Sequence, residues 1–309
     1  MKKYILLLTC IFFLGKINAQ QETAFSQYHL NHFLINPAAT GANNFHTIFL
    51  HGRYQWTGLP NSPRTGLFSY QAPLENIGLG VTVFSEELAS LRRFGGNFAY
   101  AYRIKMGSYK LALGMSAHYQ RFFLDSSAAS GIEDQDDIVV FDAMDGLNTF
   151  DANLGAYFYN HKMYVGFSVP NVIQSRLSTI GSNLSTLSQL SRQYIFTAGY
   201  RYLPDQSFFS VEPSILLRKI GATPTQALMT VRVGMMKEKV FTAFTYGTTD
   251  IITFALGYQL MPEARIAYSY DYPLGDIYQY TFGSHEFSFI YEFERPDFNK
   301  PVPSKRFRR

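Results

Sequence analysis

Seven histidines and one acidic run are the groups in this 309-residue chain whose types could do chemistry. His29, His32, His46, His51, His118, His161 and His285 are scattered, and none has the His-Glu-x-x-His spacing that puts two imidazoles on one zinc ion. Each reads more simply as a polar histidine at a lumen wall or a boundary. Between 125 and 149, Asp125, Glu133, Asp134, Asp136, Asp137, Asp142 and Asp145 stand without a Lys or Arg. Carboxylates are the preferred ligands of calcium, but the EF-hand spacing with its central Gly is missing, so a solvated acidic loop is expected. No Gly-x-Ser-x-Gly elbow and no phosphate loop occurs. The expectation is a protein with no catalytic residue, no metal and no cofactor: not an enzyme.

The elements that carry these residues begin after a targeting segment. Lys2 and Lys3, the apolar run Tyr4–Leu14 and the small-residue site Ile17-Asn18-Ala19 read as a signal peptide over 1–19. About eleven apolar residues are too few to cross a hydrocarbon core of about 30 Å. Cleavage after Ala19 would remove Cys10, the only cysteine, leaving neither thiol nor disulfide. It would also remove Lys2, Lys3 and Lys16 from 27 basic residues against 23 acidic ones, leaving a charge of about +1. Such a charge makes no case for nucleic acid as a partner.

The 22 Tyr and 28 Phe favour strands, and Tyr suits a membrane–water boundary. Period-2 alternation recurs from about 45 to 293. Ile252, Phe254, Leu256, Tyr258 and Leu260 share one face, opposite Thr253, Ala255, Gly257 and Gln259. Phe287, Phe289, Tyr291 and Phe293 likewise alternate with Glu286, Ser288 and Glu292. A lipid-facing wall around a wet lumen gives this pattern, and a soluble sandwich gives it with the sides reversed. Fourteen strands are predicted, roughly at 45–56, 63–72, 77–86, 93–106, 108–124, 150–160, 161–169, 193–203, 206–219, 225–236, 238–247, 250–260, 262–272 and 284–294. Gaps after even-numbered strands are short, whereas 125–149 and 170–192 are long and follow odd ones. That is the pattern of short periplasmic turns and longer outer loops. The predicted fold class is all-β: a transmembrane outer-membrane antiparallel β-barrel of about 14 strands with an N-terminal periplasmic arm or plug. The expected organisation is an arm or plug over 20–44, a barrel over 45–294 and a basic periplasmic tail over 295–309. Both termini are expected in the periplasm, because the strand count is even.

Within the arm and just behind it, Phe25-Ser26-Gln27-Tyr28, Asn31, Asn36-Pro37-Ala38 and Gly41 are followed by Arg53-x-Gln55-Trp56-x-Gly58. Pro63-x-Thr65, Ala72-Pro73-Leu74, Val169-Pro170-Asn171 and Ser284-His285-Glu286-Phe287-Ser288 continue the series. This ordered set, from about 21 to 293, resembles the PorP/SprF family of the type IX secretion and gliding machinery. The resemblance implies a non-enzymatic barrel in the cell outer membrane that helps export a secreted protein or attach it to the cell surface. The implied partner is the C-terminal sorting domain of a large surface protein such as an adhesin, with outer-membrane lipid around the wall. A periplasmic component of the machinery or a peptidoglycan-linked protein is a further expected partner. The alternative reading is a diffusion channel or a transporter of hydrophobic solutes. As a plug, the arm would set Asn, Gln and Tyr groups against a polar lumen wall and seat Phe33, Leu34 and Ile35 in an apolar pocket. As a docking surface, it would lie beneath the barrel.

Overall fold

The computed structural model describes residues 25–124, 146–179, 185–204, 208–248 and 251–294. The expected signal peptide, nearly all of the acidic loop and the basic tail lie outside the described residues. Sixteen strands are found among those described: β1 (His46–Tyr54), β2 (Arg64–Leu74), β3 (Ile77–Leu88), β4 (Leu91–Met106), β5 (Tyr109–Leu124), β6 (Leu147–Tyr159), β7 (Met163–Val169), β8 (Arg176–Thr179), β9 (Ser185–Gln189), β10 (Gln193–Tyr200), β11 (Phe209–Ile220), β12 (Gln226–Met235), β13 (Val240–Gly247), β14 (Ile251–Met261), β15 (Ala264–Pro273) and β16 (Ser284–Phe293).

Fourteen of them close a barrel. Each of β1 to β6 pairs with the next, β7 pairs with β10, and β10 to β16 continue the wall, all antiparallel. The seam is β1 on β16, in register from His46↔Phe293 to Tyr54↔His285. Closure leaves no unpaired edge, which is what strands need in lipid. The remaining two strands, β8 and β9, form a hairpin that joins β6 through Leu147↔Thr179. That hairpin lies in the 170–192 stretch expected as open loop. Strands of four and five residues, built from Ser, Thr, Leu, Arg and Gln, carry too little alternation to be read as strands. β6 also starts at Leu147, three residues earlier than expected, because its added end pairs with this hairpin.

The alternation resolves with the bulky apolar side outward. Phe98, Phe254 and Phe287 are 57%, 55% and 62% exposed, while Thr253, Ser269 and Glu286 are buried. A soluble sandwich would do the opposite, so that reading is excluded. Among the described residues no helix is long and apolar enough to cross a membrane; the strands supply the crossing.

The two rims differ. Turns of two or three residues follow β2, β4, β6 and β14, and residues 236–239 follow β12; this is the turn end. Residues 55–63, 170–179, 185–192 and 274–283 lie at the opposite, loop end.

The chain before β1 runs inside this wall. It makes three short 3₁₀ turns, Tyr28–Leu30, His32–Leu34 and Pro37–Ala39, so its backbone bonds close locally while its side chains reach outward. All three buried apolar clusters among the described residues involve it. Ala38 and Ala39 pack with Ala112 and Tyr157, and Tyr28 and Ile35 with Ile195 and Leu216. Phe25, Leu30 and Leu34 pack against Phe49, Leu67 and Ile290.

Candidate functional site

Three inward side chains near the seam build the first half of the site. Arg53 of β1 forms an ion pair with Glu286 of β16, and its Nη2 lies 2.9 Å from Asp271 Oδ2 of β15. All three are buried, and such charges persist only when paired and hydrogen-bonded. The arm supplies the missing donors. The backbone N–H groups of Ser26 and Gln27 donate to the two Glu286 carboxylate oxygens at 3.0 and 3.1 Å. Ser26 Oγ donates to Asp271 at 2.8 Å, and Thr253 completes that carboxylate at 2.7 Å. Gln27 Nε2 donates to Ser269 Oγ at 2.9 Å, and its Oε1 accepts from Ser288 Oγ at 2.6 Å. Phe25 stands edge-on to His51, with ring centroids 4.8 Å apart.

Across the lumen, Tyr28 donates its hydroxyl to Thr230 of β12 at 3.1 Å. Asn31 donates to Ser69 of β2 at 3.1 Å and accepts from Gln71 at 2.9 Å, while Gly41 N–H donates to Gln71 at 3.0 Å. Asn36 caps the third 3₁₀ turn by accepting from Ala38 N–H at 2.9 Å and donates to the Ala156 carbonyl of β6 at 3.0 Å. Ser168 of β7 donates to the Ile35 carbonyl at 2.6 Å. Partners of the arm thus come from strands all round the barrel.

Close backbone approach explains the glycines of β3, β5 and β6. A Cβ at Gly78 would overlap the Thr40 carbonyl, one at Gly114 the Ala38 backbone, and one at Gly155 the Asn36 side chain. Gly41 itself has φ +66°, and Arg103 of β4 donates to its carbonyl and to that of Ile77.

The loop-end residues singled out by sequence form separate supports. Gln55 N–H donates to the Pro63 carbonyl at 2.9 Å, and Trp56 N–H to Ser284 Oγ at 3.1 Å, tying the first loop to the last. Pro170 and Asn171 open the 170–192 loop. Asn171 donates its N–H to Asn153 Oδ1 at 3.0 Å. Asp151 of β6, fully buried, accepts from Ile173 and Ser175 N–H at 3.0 and 2.8 Å.

Two cavities border the arm among the described residues. On the loop side is one of about 120 Å³, with a floor of Phe25, Phe33, Leu34, Ile35 and Pro37 and walls of mixed polar and apolar side chains. On the turn side is one of about 210 Å³, lined by Asn31, His32, Tyr157 and Tyr164 among others. Burial lowers His29 to about 3, helped by the charge of Arg232 and by His32, and burial lowers His32 to about 4. In the turn after β12, burial pushes Glu238 up, but Arg232, Ser210 and Arg201 outweigh it and hold the carboxyl at about 2.

Of the residues picked from sequence, Phe25, Ser26, Gln27 and Arg53 come together around Glu286 and Asp271. Tyr28, Asn31, Asn36, Pro37 and Gly41 contact other strands along the arm, while Gln55 and Trp56 sit apart at the loop end. Sequence reasoning passed over Asp271, Arg103 and Asp151. Asp271, on the otherwise small and uncharged inward face Ser269-x-Asp271, was the available signal.

A family model described as type IX secretion system membrane protein PorP/SprF matches residues 17–291. No curated protein matches the chain. Among solved structures, the CymD monoaromatic hydrocarbon channel is similar at 11% identity and TM-score 0.51, over 85% of this chain and 93% of that one. The outer membrane protein Omp33 of Acinetobacter baumannii aligns at 8% identity and TM-score 0.47, over 82% of this chain and 98% of that one. The toluene transporter TodX of Pseudomonas putida aligns at 11% identity and TM-score 0.47, over 84% and 92% respectively. The likeness to CymD shows the fold alone.

Proposed function

The chain belongs to the PorP/SprF family of type IX secretion system membrane proteins, and from that premise we propose that it is a non-enzymatic partner barrel. Its task in this reading is to help export a secreted protein with a C-terminal sorting domain, or to hold that protein at the cell surface. An outer-membrane location follows from the barrel and the family; the short turns and both termini are assigned to the periplasm, and the loop end to the outside. The observation that carries the reading is the arm. It bonds to strands on several sides of the wall, among them β2, β6, β7, β12, β15 and β16, which supports reading it as a plug and the barrel as a surface rather than an open path. The outer hairpin β8–β9, tied down through Asp151 and Asn171, belongs to that surface. A large adhesin is the kind of cargo this reading expects, with gliding motility as one process it would serve.

The test is a deletion strain compared with its parent by surface proteomics. Loss of one surface protein with a C-terminal sorting domain is expected. An unchanged surface protein set sinks the reading.

A second reading, a channel for hydrophobic solutes, draws support from the apolar floor of the loop-side cavity. It predicts solute flux into liposomes through the intact protein. A non-conducting intact protein counts against it.

A further inference from the structure

The loop-side cavity holds polar groups that the arm does not use. Thr82 of β3, Asn97 of β4 and His118 of β5 are directly opposite one another, Thr82↔Asn97 and Asn97↔His118, so they form one inward row across three strands. Thr82 and His118 are 7% and 9% exposed, and both line the cavity. Thr82 Oγ1, Asn97 Oδ1 and His118 Nε2 are buried and have no hydrogen-bond partner. Buried polar atoms left in that state cost free energy, and three in one row define a polar subsite.

Two further features say what the subsite takes. Arg93 and Arg218 line the cavity from β4 and β11, and no Asp or Glu is among the described residues lining it. Arg93 also lies 2.5 Å from Glu86, which is not among the lining residues. Phe84, with Arg93 above its ring at 5.0 Å and His118 stacked on it at 6.0 Å, makes an apolar wall beside the row. The floor is Phe25, Phe33, Leu34 and Ile35. A volume of about 120 Å³ is near the roughly 150 Å³ of apolar cavities that admit a benzene-sized group.

We propose that this cavity binds a carboxylate carried on one apolar group of ring or branched-chain size. The apolar group rests on the Phe33–Ile35 floor. The carboxylate accepts from the Thr82 hydroxyl, the His118 Nε2–H tautomer and the Asn97 amide turned end for end. Two sources present this chemistry: a free apolar acid, and the last residue of a polypeptide. With a polypeptide end as ligand, the proposal rests on the export reading; with a free acid it stands without it.

The experiment is calorimetric titration of the full mature protein in detergent with phenylacetate, with 4-methylpentanoate, and with acetyl-Ala-Gly-Phe bearing either a free or an amidated C-terminus. Binding of a free acid or of the free-carboxylate peptide is expected. Thr82→Val, nearly the same size, should weaken it about tenfold, the loss of one hydrogen bond to a charged group. Asn97→Phe, which fills the cavity, should abolish it while the barrel keeps its heat-modifiable gel mobility. Which acids bind identifies the source, and either source supports the assignment. Equal binding of the amidated peptide overturns it, as does binding unchanged in Thr82→Val, or no binding of any probe at millimolar concentration. Binding only after residues 20–24 are removed also overturns it. The export reading is tested separately by the deletion strain, so one can fail while the other holds.

Discussion

Arg53 on the first strand and Glu286 on the last form a buried ion pair across the seam where the barrel closes, and the same carboxylate accepts two backbone N–H groups from the arm. Removing either charge leaves the other buried and uncompensated. Glu286→Gln and Arg53→Met are each expected to destabilise the protein by about 3–5 kcal/mol. The double variant Arg53→Met/Glu286→Gln should lose less than the sum of the two. Urea midpoints of the detergent-solubilised barrel measure this, and strictly additive losses would refute coupling through the pair.

Deleting residues 25–41 should give the barrel a steady conductance in planar bilayers that the intact protein is expected to lack. Gly78→Val and Gly114→Val test the same point without deletion, because their side chains need the space held by Thr40 and Ala38. Both should raise conductance while the wall stays closed. An arm-free barrel that remains silent would mean inward wall side chains close the lumen unaided.

Acidification should loosen the arm. His29 and His32 sit at about 3 and about 4, below the ordinary histidine value of 6.5, so the unfolded chain binds more protons between these limits. Their contribution is complete above about 6.5 and falls as pH drops toward 3. Glu238, held at about 2, begins to cost stability only below its ordinary 4.5. Urea midpoints between pH 6.5 and 4.5 should therefore fall, and His29→Gln/His32→Gln should flatten that slope. An equal slope in the double variant would assign the effect elsewhere.

Asp151→Ala should free the 170–192 loop without opening the barrel. It removes the acceptor for Ile173 and Ser175, a loss of about 1–3 kcal/mol confined to the loop. Limited proteolysis of intact cells should cut within 173–190 roughly tenfold faster, by the free energy of local opening. An unchanged cutting rate would show that the hairpin's pairing with β6 suffices.

Much of the wall could be read from sequence because its signal is local. Phe254, Leu256 and Tyr258 alternate with Thr253, Ala255 and Gly257 within a few residues, and the strand positions followed to within about three residues. The polar arm and its breaker pairs were equally legible, since Asn36-Pro37 and Thr40-Gly41 act on their own backbone. What could not be read is pairing across the barrel. Ser26 meets Asp271, 245 residues on, and Gln27 meets Glu286, 259 residues on; no period or spacing encodes those partners. The β8–β9 hairpin was hidden for another reason: its short strands take their order from β6 rather than from a pattern of their own.

The ladder between β1 and β16 has a consequence for the order of events during synthesis. Arg53 and the arm emerge early, yet their counter-charges arrive only with the last two described strands, Asp271 on β15 and Glu286 on β16. Until β16 docks, the leading end of the arm lacks the Glu286 acceptor, and the wall has an open edge on each side. A single docking event finishes both, so wall and filling are expected to mature together as one cooperative, slow, long-range step. Chains interrupted before residue 286 would be left with an unclosed sheet and the leading end of the arm without its Glu286 acceptor, a state that quality-control proteases can recognise.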